Sequence, residues 1–156
     1  MSEQSKPVTG GCMCGAARYE ARGEPLEIGH CHCPSCHQHT GAPIVTYVVF
    51  DADKVRFYGH ERSIYKSSPG VRRAFCGQCG TALTWEGIFE ENAIVEFHIG
   101  TLDEPENFVP DRHWHHVKRI GWFDVADDLP RYRGVGMKDE EPYHYGPAIE
   151  GLQAES

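Results

Sequence analysis

The sequence predicts a mainly β protein made of several small coiled sheets with little helix, and three observations carry that prediction. The runs that look ordered are short and rich in β-branched and aromatic residues. Gly, Pro, Asp and Ser interrupt them at close intervals. No stretch sustains the apolar period of an amphipathic helix.

In chain order the expected strands are residues 16–21, 26–32, 43–50, 55–59, 63–67, 71–75, 82–85, 93–102 and 114–120. "DEPENF" suits a single turn, and "PSCHQHTG" another short turn or the start of a helix. Trp85, Trp114 and Trp122, with Phe50, Phe57, Phe75 and Phe97, are expected in the core, because large aromatics dominate burial. The acidic pieces "DEPE" and "DVADD" read as solvated turns. From Lys138 on the chain is polar, so residues 1–137 are expected to form one domain and 138–156 an extension.

A chain of 156 residues is the size of one ordinary domain. Its 15 basic and 23 acidic residues give a net charge of -8, which opposes binding to nucleic acid or to an anionic membrane. The first residues carry no apolar run of signal-peptide length, and "PIVTYVVF" is too short to span a bilayer. A cytoplasmic protein is expected. Seven cysteines cannot all pair as disulfides, so thiolates holding metal become the leading explanation for them.

These cysteines fall into three groups: Cys12 and Cys14 in "GGCMCG", Cys31, Cys33 and Cys36 in "CHCPSC", and Cys76 and Cys79 in "FCGQCGT". On extended backbone a CxC pair sends both sulfurs to one side and the middle residue to the other. The CxxC at Cys76 has zinc-knuckle spacing, with Gly77 and Gly80 free to turn tightly. Together the two pairs make a four-cysteine set suited to a structural zinc.

The central group has three sulfurs and no fourth cysteine left to close it. Structural zinc is almost always held by four protein ligands, whereas catalytic zinc keeps one position open. Three thiolates on a dication leave a net negative, electron-rich shell that suits a soft incoming ligand such as a thiol. Closure by His37 or His39 is the alternative. His30 and His32 should point away from the sulfurs on an extended strand.

With those motifs in view, the sequence resembles the glutathione-dependent formaldehyde-activating enzyme family, also called S-(hydroxymethyl)glutathione synthase or the centromere protein V/GFA domain family. The resemblance runs through "GGCMCGAARYE", "CHCPSCHQHTGAP", "SSPGVRRAFCGQCGTAL", "GTLDEPENFVPDRHWHH" and "WFDVADDLPRY". It implies a β-tent (Mss4-like) fold of small antiparallel sheets stapled by zinc. It implies two zinc ions, one structural on Cys12, Cys14, Cys76 and Cys79, the other labile on Cys31, Cys33 and Cys36. The implied reaction is a carbon-sulfur lyase run in the synthetic direction, in which glutathione adds to formaldehyde to give S-(hydroxymethyl)glutathione.

At an open zinc either a substrate thiol is captured as thiolate or the aldehyde oxygen is polarised, and three anionic sulfurs favour thiol capture. His37, His39 or His113 is positioned in sequence to carry the proton. Arg72 and Arg73 are candidates for gripping glutathione carboxylates. His113, His115 and His116 otherwise read as a polar strand face. The competing reading is a non-catalytic zinc module that binds a thiol or a protein. A chromatin-linked role would call for basic tails, and the ends are "MSEQSK" and "IEGLQAES". No Ser/His/Asp order, phosphate loop or paired catalytic carboxylates are present.

Overall fold

The computed structural model describes residues 5–135 and 140–151. By its contacts the chain forms two compact units that interleave in sequence, one from the residues up to Glu27 with Val48–Phe108, the other from Ile28–Tyr47 with the chain from Val109 on. The mainly β expectation holds, with strands in several sheets and one short α-helix among the described residues. No helix among them is long and apolar enough to cross a membrane.

In the first unit, β1 (Val8–Gly11), β2 (Ala17–Ala21) and β5 (Val55–Gly59) form an antiparallel sheet with β2 in the middle. Strand β2 shows why: Ala17, Tyr19 and Ala21 are buried while Arg18 and Glu20 are not, the two-residue period of a half-buried strand. A second antiparallel set runs β6 (Ser63–Ser68), β7 (Val71–Phe75), β8 (Ala82–Phe89) and β9 (Asn92–His98). The unit's core stacks Tyr19 on Phe97 with ring centroids 3.9 Å apart, and Phe50 and Phe57 pack on the same ring at 6.2 and 6.1 Å. The Thr101 hydroxyl donates to the His98 carbonyl, so the Tyr19 hydroxyl donates to Thr101 at 2.7 Å.

The second unit is built on β3 (Glu27–Cys31), the helix α1 (Pro34–Thr40) and the start of β4 (Val45–Asp51). β10 (His113–Trp114) pairs in parallel with β3, β11 (Pro130–Arg131) pairs in parallel with β10, and β12 (His144–Tyr145) closes antiparallel on β11. The register sets His30, His113 and Arg131 side by side across three strands. Cross-strand neighbours share a face, so these three side chains are brought together by pairing alone.

Three expectations need correction. Residues 114–120 are not a strand: β10 stops at Trp114, His115 takes a left-handed φ of 51°, and His116–Lys118 form a 3₁₀ turn. The expected strand 93–102 ends at His98 in a 3₁₀ turn over Ile99–Thr101. Trp122 is 80% exposed rather than core, whereas Trp114 is buried. β1, β11 and β12 were not expected, since two to four residues carry no readable period. Of the polar segment from Lys138, residues 138, 139 and 152–156 lie outside the described residues.

Because Phe97 is fully buried against three aromatic rings, Phe97→Ala is expected to cost about 3–5 kcal/mol. Tyr19→Phe keeps the ring and loses one hydrogen bond, for about 1 kcal/mol. Urea midpoints of the two variants check both the order and the size.

Candidate metal centres and a buried histidine cluster

The four-cysteine group sits on two hairpin turns of the first unit. Between β1 and β2, the Cys12 amide bonds the Ala17 carbonyl and the Gly15 amide bonds the Cys12 carbonyl, each at 3.0 Å, with Gly15 at φ 78°. Between β7 and β8, the Gly80 amide bonds the Cys76 carbonyl at 2.8 Å, and Gly80 takes φ 79°, a conformation that glycine adopts freely. The Met13 amide donates to the Thr81 hydroxyl at 3.0 Å and ties one turn to the other.

The sulfurs of Cys12, Cys14, Cys76 and Cys79 all lie within 4.8 Å of one another. Cys12 to Cys14 is 3.5 Å and Cys14 to Cys76 is 3.8 Å. A tetrahedron of sulfurs at zinc-thiolate bond length has an edge of about 3.8 Å, so the set fits that ion. The Ala17 and Gln78 amides point at the Cys12 and Cys76 sulfurs, at 3.3 and 3.4 Å. Cys79 is pulled down to about 5 by the Thr81 hydroxyl and amide. Cys14, although bonded by the Ala16 amide, is pushed up to about 12 by the neighbouring sulfurs. Four crowded sulfurs cannot all ionise unless a cation joins them.

The second group, Cys31, Cys33 and Cys36, has its sulfurs within the same 4.8 Å limit. No fourth Cys, His, Asp or Glu ligand atom joins them among the described residues. Cys33 caps α1: Pro34 starts the helix, and the Cys36 amide donates to the Cys33 sulfur at 3.4 Å. Hydrogen bonds from Cys31 and then Cys36 hold the Cys33 thiol well below its ordinary value, and His115 adds to this electrostatically. Cys31 is driven up by its hydrogen bonds with Cys33 and Cys36 and by burial. In chemical terms this is a three-sulfur cup with no fourth protein ligand atom among the described residues.

His30 and His32 belong to a different set, as strand alternation demands. His32 Nε2 lies 2.8 Å from His113 Nδ1, and His113 Nε2 lies 3.0 Å from an Asp127 oxygen. His116 Nε2 is 2.9 Å from Asp124, and its Nδ1 bonds the Tyr143 hydroxyl. Arg131 clips the two carboxylates together, Nη1 to Asp127 at 2.9 Å and Nη2 to Asp124 at 3.1 Å. His32, His113, His116 and Arg131 have no exposed surface. Burial lowers the pKa of all four histidines, His30 to about 4 and His32 to about 2, so the rings are neutral. Despite burial, Asp124 is held well below the usual carboxylate range and Asp127 is lowered, each by its histidine and then by Arg131.

His113 and His116 are therefore not a polar strand face, and both nitrogens of His113 are already bonded, which removes it as a proton carrier for substrate. Asp124 and Asp127 are not solvated turn residues. The left-handed His115 breaks the alternation and lets His113 and His116 join one cluster. Neither His37 nor His39 reaches the three-sulfur group. Arg72 and Arg73, successive on β7, face opposite sides. Arg72 donates to Glu86 at 2.8 Å and is half exposed, while Arg73 is buried and bonds Ser67 at 3.3 Å. Sequence reasoning assigned no role to Arg131 or Tyr143; the hints were the HxxH spacing of His113 and His116 and the segment "WFDVADDLPRY", which holds Asp124, Asp127 and Arg131.

Both cysteine groups fall inside the match to one family model, which covers residues 7–118 under the description "Glutathione-dependent formaldehyde-activating enzyme". The chain belongs to that family. No curated protein matches it. Among solved structures, the crystal structure of a Rhodobacter sphaeroides protein is similar at 20% identity over 61% of this chain and 87% of that one, with a TM-score of 0.49. What the glutathione-dependent formaldehyde-activating family supplies here is the frame of two cysteine groups that can hold metal.

Arg131→Met would strand two part-buried carboxylates, and the expected cost at neutral pH is about 3–5 kcal/mol. The two folded-state pKa values are depressed, so the wild-type contribution is full above the unfolded value near pH ~4 and fades as pH falls through the depressed ones. In the variant those values rise, and the deficit should shrink as acid protonates the carboxylates. Denaturant midpoints measured across that range for both proteins check the sign.

Proposed function

We propose that this chain is a zinc-dependent carbon-sulfur lyase that joins a thiol of the glutathione type to a small aldehyde such as formaldehyde. The observation that carries the reading is the three-sulfur cup of Cys31, Cys33 and Cys36 with no fourth protein ligand among the described residues. Family membership supports the substrates, since the family is described by glutathione and formaldehyde. The other four cysteines would hold a second, structural zinc.

A zinc ion in the cup supplies the positive charge that lets a thiol lose its proton at neutral pH. The protein's own residues do the rest. The Cys36 amide and the α1 cap fix the Cys33 sulfur, while burial of Cys31 and Cys36 keeps bulk water off that side of the cup. His115, half-buried and acting electrostatically on Cys33, is our candidate to exchange the proton that the new hydroxyl needs.

The adduct forms without a catalyst, so only the rate of exchange reports activity. Carbon-13 exchange between formaldehyde hydrate and its glutathione adduct, followed by NMR, is expected to quicken with zinc-loaded protein and to return to background with Cys33→Ser. Unchanged exchange with metal bound would reject these substrates and favour a binding module. The two cysteine groups should also differ: Cys79→Ser is expected to lose most of the fold's stability, and Cys33→Ser to stay folded with one zinc fewer. Equal collapse of both, seen by circular dichroism and metal analysis, would sink that division.

A further inference from the structure

The histidine cluster contains two sets of metal-type ligands, His30 with His113 and Asp127, and His32 with His116 and Asp124. Their carboxylates are already spoken for. Asp124 takes donors from Arg131, the Val125 amide, His116 and the Ala148 amide. Asp127 takes His113, Arg131 and the Leu129 amide. A metal would have to displace a buried guanidinium, so the cluster is a hydrogen-bonded network.

That network has a direction. An ionised carboxylate only accepts, so His113 Nε2–H donates to Asp127. The neutral ring then presents Nδ1 as an acceptor, and His32 Nε2–H must donate to it at 2.8 Å. The remaining His32 nitrogen, Nδ1, is left bare and buried without a protein partner.

His32 lies between Cys31 and Cys33, and it is anchored twice. Its amide donates to the Trp114 carbonyl at 3.1 Å, and its ring to His113. His30 is held the same way, its amide on the Arg112 carbonyl at 2.9 Å and its ring on Thr46 at 2.8 Å. A one-residue slip of this strand would send sulfurs among the carboxylates and imidazoles into the cup.

We propose that Asp127, His113 and His32 form a hydrogen-bonded chain of fixed polarity that positions the end of β3, and with it Cys31 and Cys33, for metal. The three are positioning residues, and the proposal rests on the reading that the cup holds a metal. Outer partners of this kind change metal affinity by about 10–100-fold when altered. Asp127→Asn is the informative variant. Its oxygen can still serve Arg131 and Leu129, while its amide donates to His113 and inverts the proton on both rings.

Long-range proton–nitrogen NMR of the histidine rings reads the chain in wild-type protein without any variant. His32 and His113 are both expected to carry their proton on Nε2; His32 protonated on Nδ1 would overturn the chain. In Asp127→Asn both protons should move to Nδ1. Chelator competition should then show a 10–100-fold loss for the metal equivalent that Cys33→Ser lacks, and none for the other. No loss, or equal loss of both equivalents, would overturn the positioning role. If Asp127→Asn does not fold, His113→Phe keeps a ring stacked on His30 and should give the same selective loss. Equal metal content in wild type and Cys33→Ser would overturn the metal reading beneath the proposal, and the ring spectra, blind to the cup's contents, separate that failure from failure of the chain.

Discussion

The second unit depends on the two-residue period of one short segment, His30-Cys31-His32-Cys33. Extended backbone sends adjacent side chains to opposite faces, so four consecutive residues deliver two imidazoles one way and two sulfurs the other. No helix could do this, because neighbours there are separated by about a third of a turn. The sulfurs meet Cys36 from the first turn of α1, and the imidazoles meet His113, His116 and Arg131 from β10 and β11. Chemistry that would conflict in one pocket, thiolates beside carboxylates, is kept apart by a single strand.

Burying Arg131 completely is expensive, and the surroundings show how the cost is met. Its Nη1 and Nη2 reach two carboxylates and the carbonyls of Leu129 and Val125 at 2.9 and 2.7 Å. Those carboxylates are in turn saturated by amides and imidazoles, so no charge in the group lacks an opposite charge within hydrogen-bond reach. Fully bonded ionic networks add little net stability, but they penalise any rearrangement heavily, because each departure strands a buried charge. Rigidity is what a three-sulfur cup needs. Sulfurs held near bonding distance before a metal arrives lose less entropy when it binds.

The cysteine groups were legible because their signal is local: CxC and CxxC spacings translate directly into facing sulfurs, and tight turns at Gly15 and Gly80 follow from glycine's access to positive φ. Most strands were legible for a related reason, as in β2, which buries alternate residues over five positions. The histidine cluster was not. His113 and His116 look like surface residues until the left-handed turn at His115 brings both to one side, and nothing in "HWHH" announces that turn. Asp124 and Asp127 look like turn residues because in sequence they are. What buries them is Arg131, four and seven positions on, through a parallel pairing of two-residue strands that no periodicity can reveal.

Residues 7–118 hold all seven cysteines and the four clustered histidines. The groups that orient those histidines, Asp124, Asp127, Arg131 and Tyr143, come after residue 118. The cysteines and the clustered histidines therefore lie between Cys12 and His116, and the chain from Asp124 on supplies the partners that fix ring tautomers and strand register. Two proteins could share every cysteine of this frame and still differ in how firmly the cup is built. The strength with which Cys31, Cys33 and Cys36 keep a metal is then a property of the fold's last strands as much as of the sulfurs themselves.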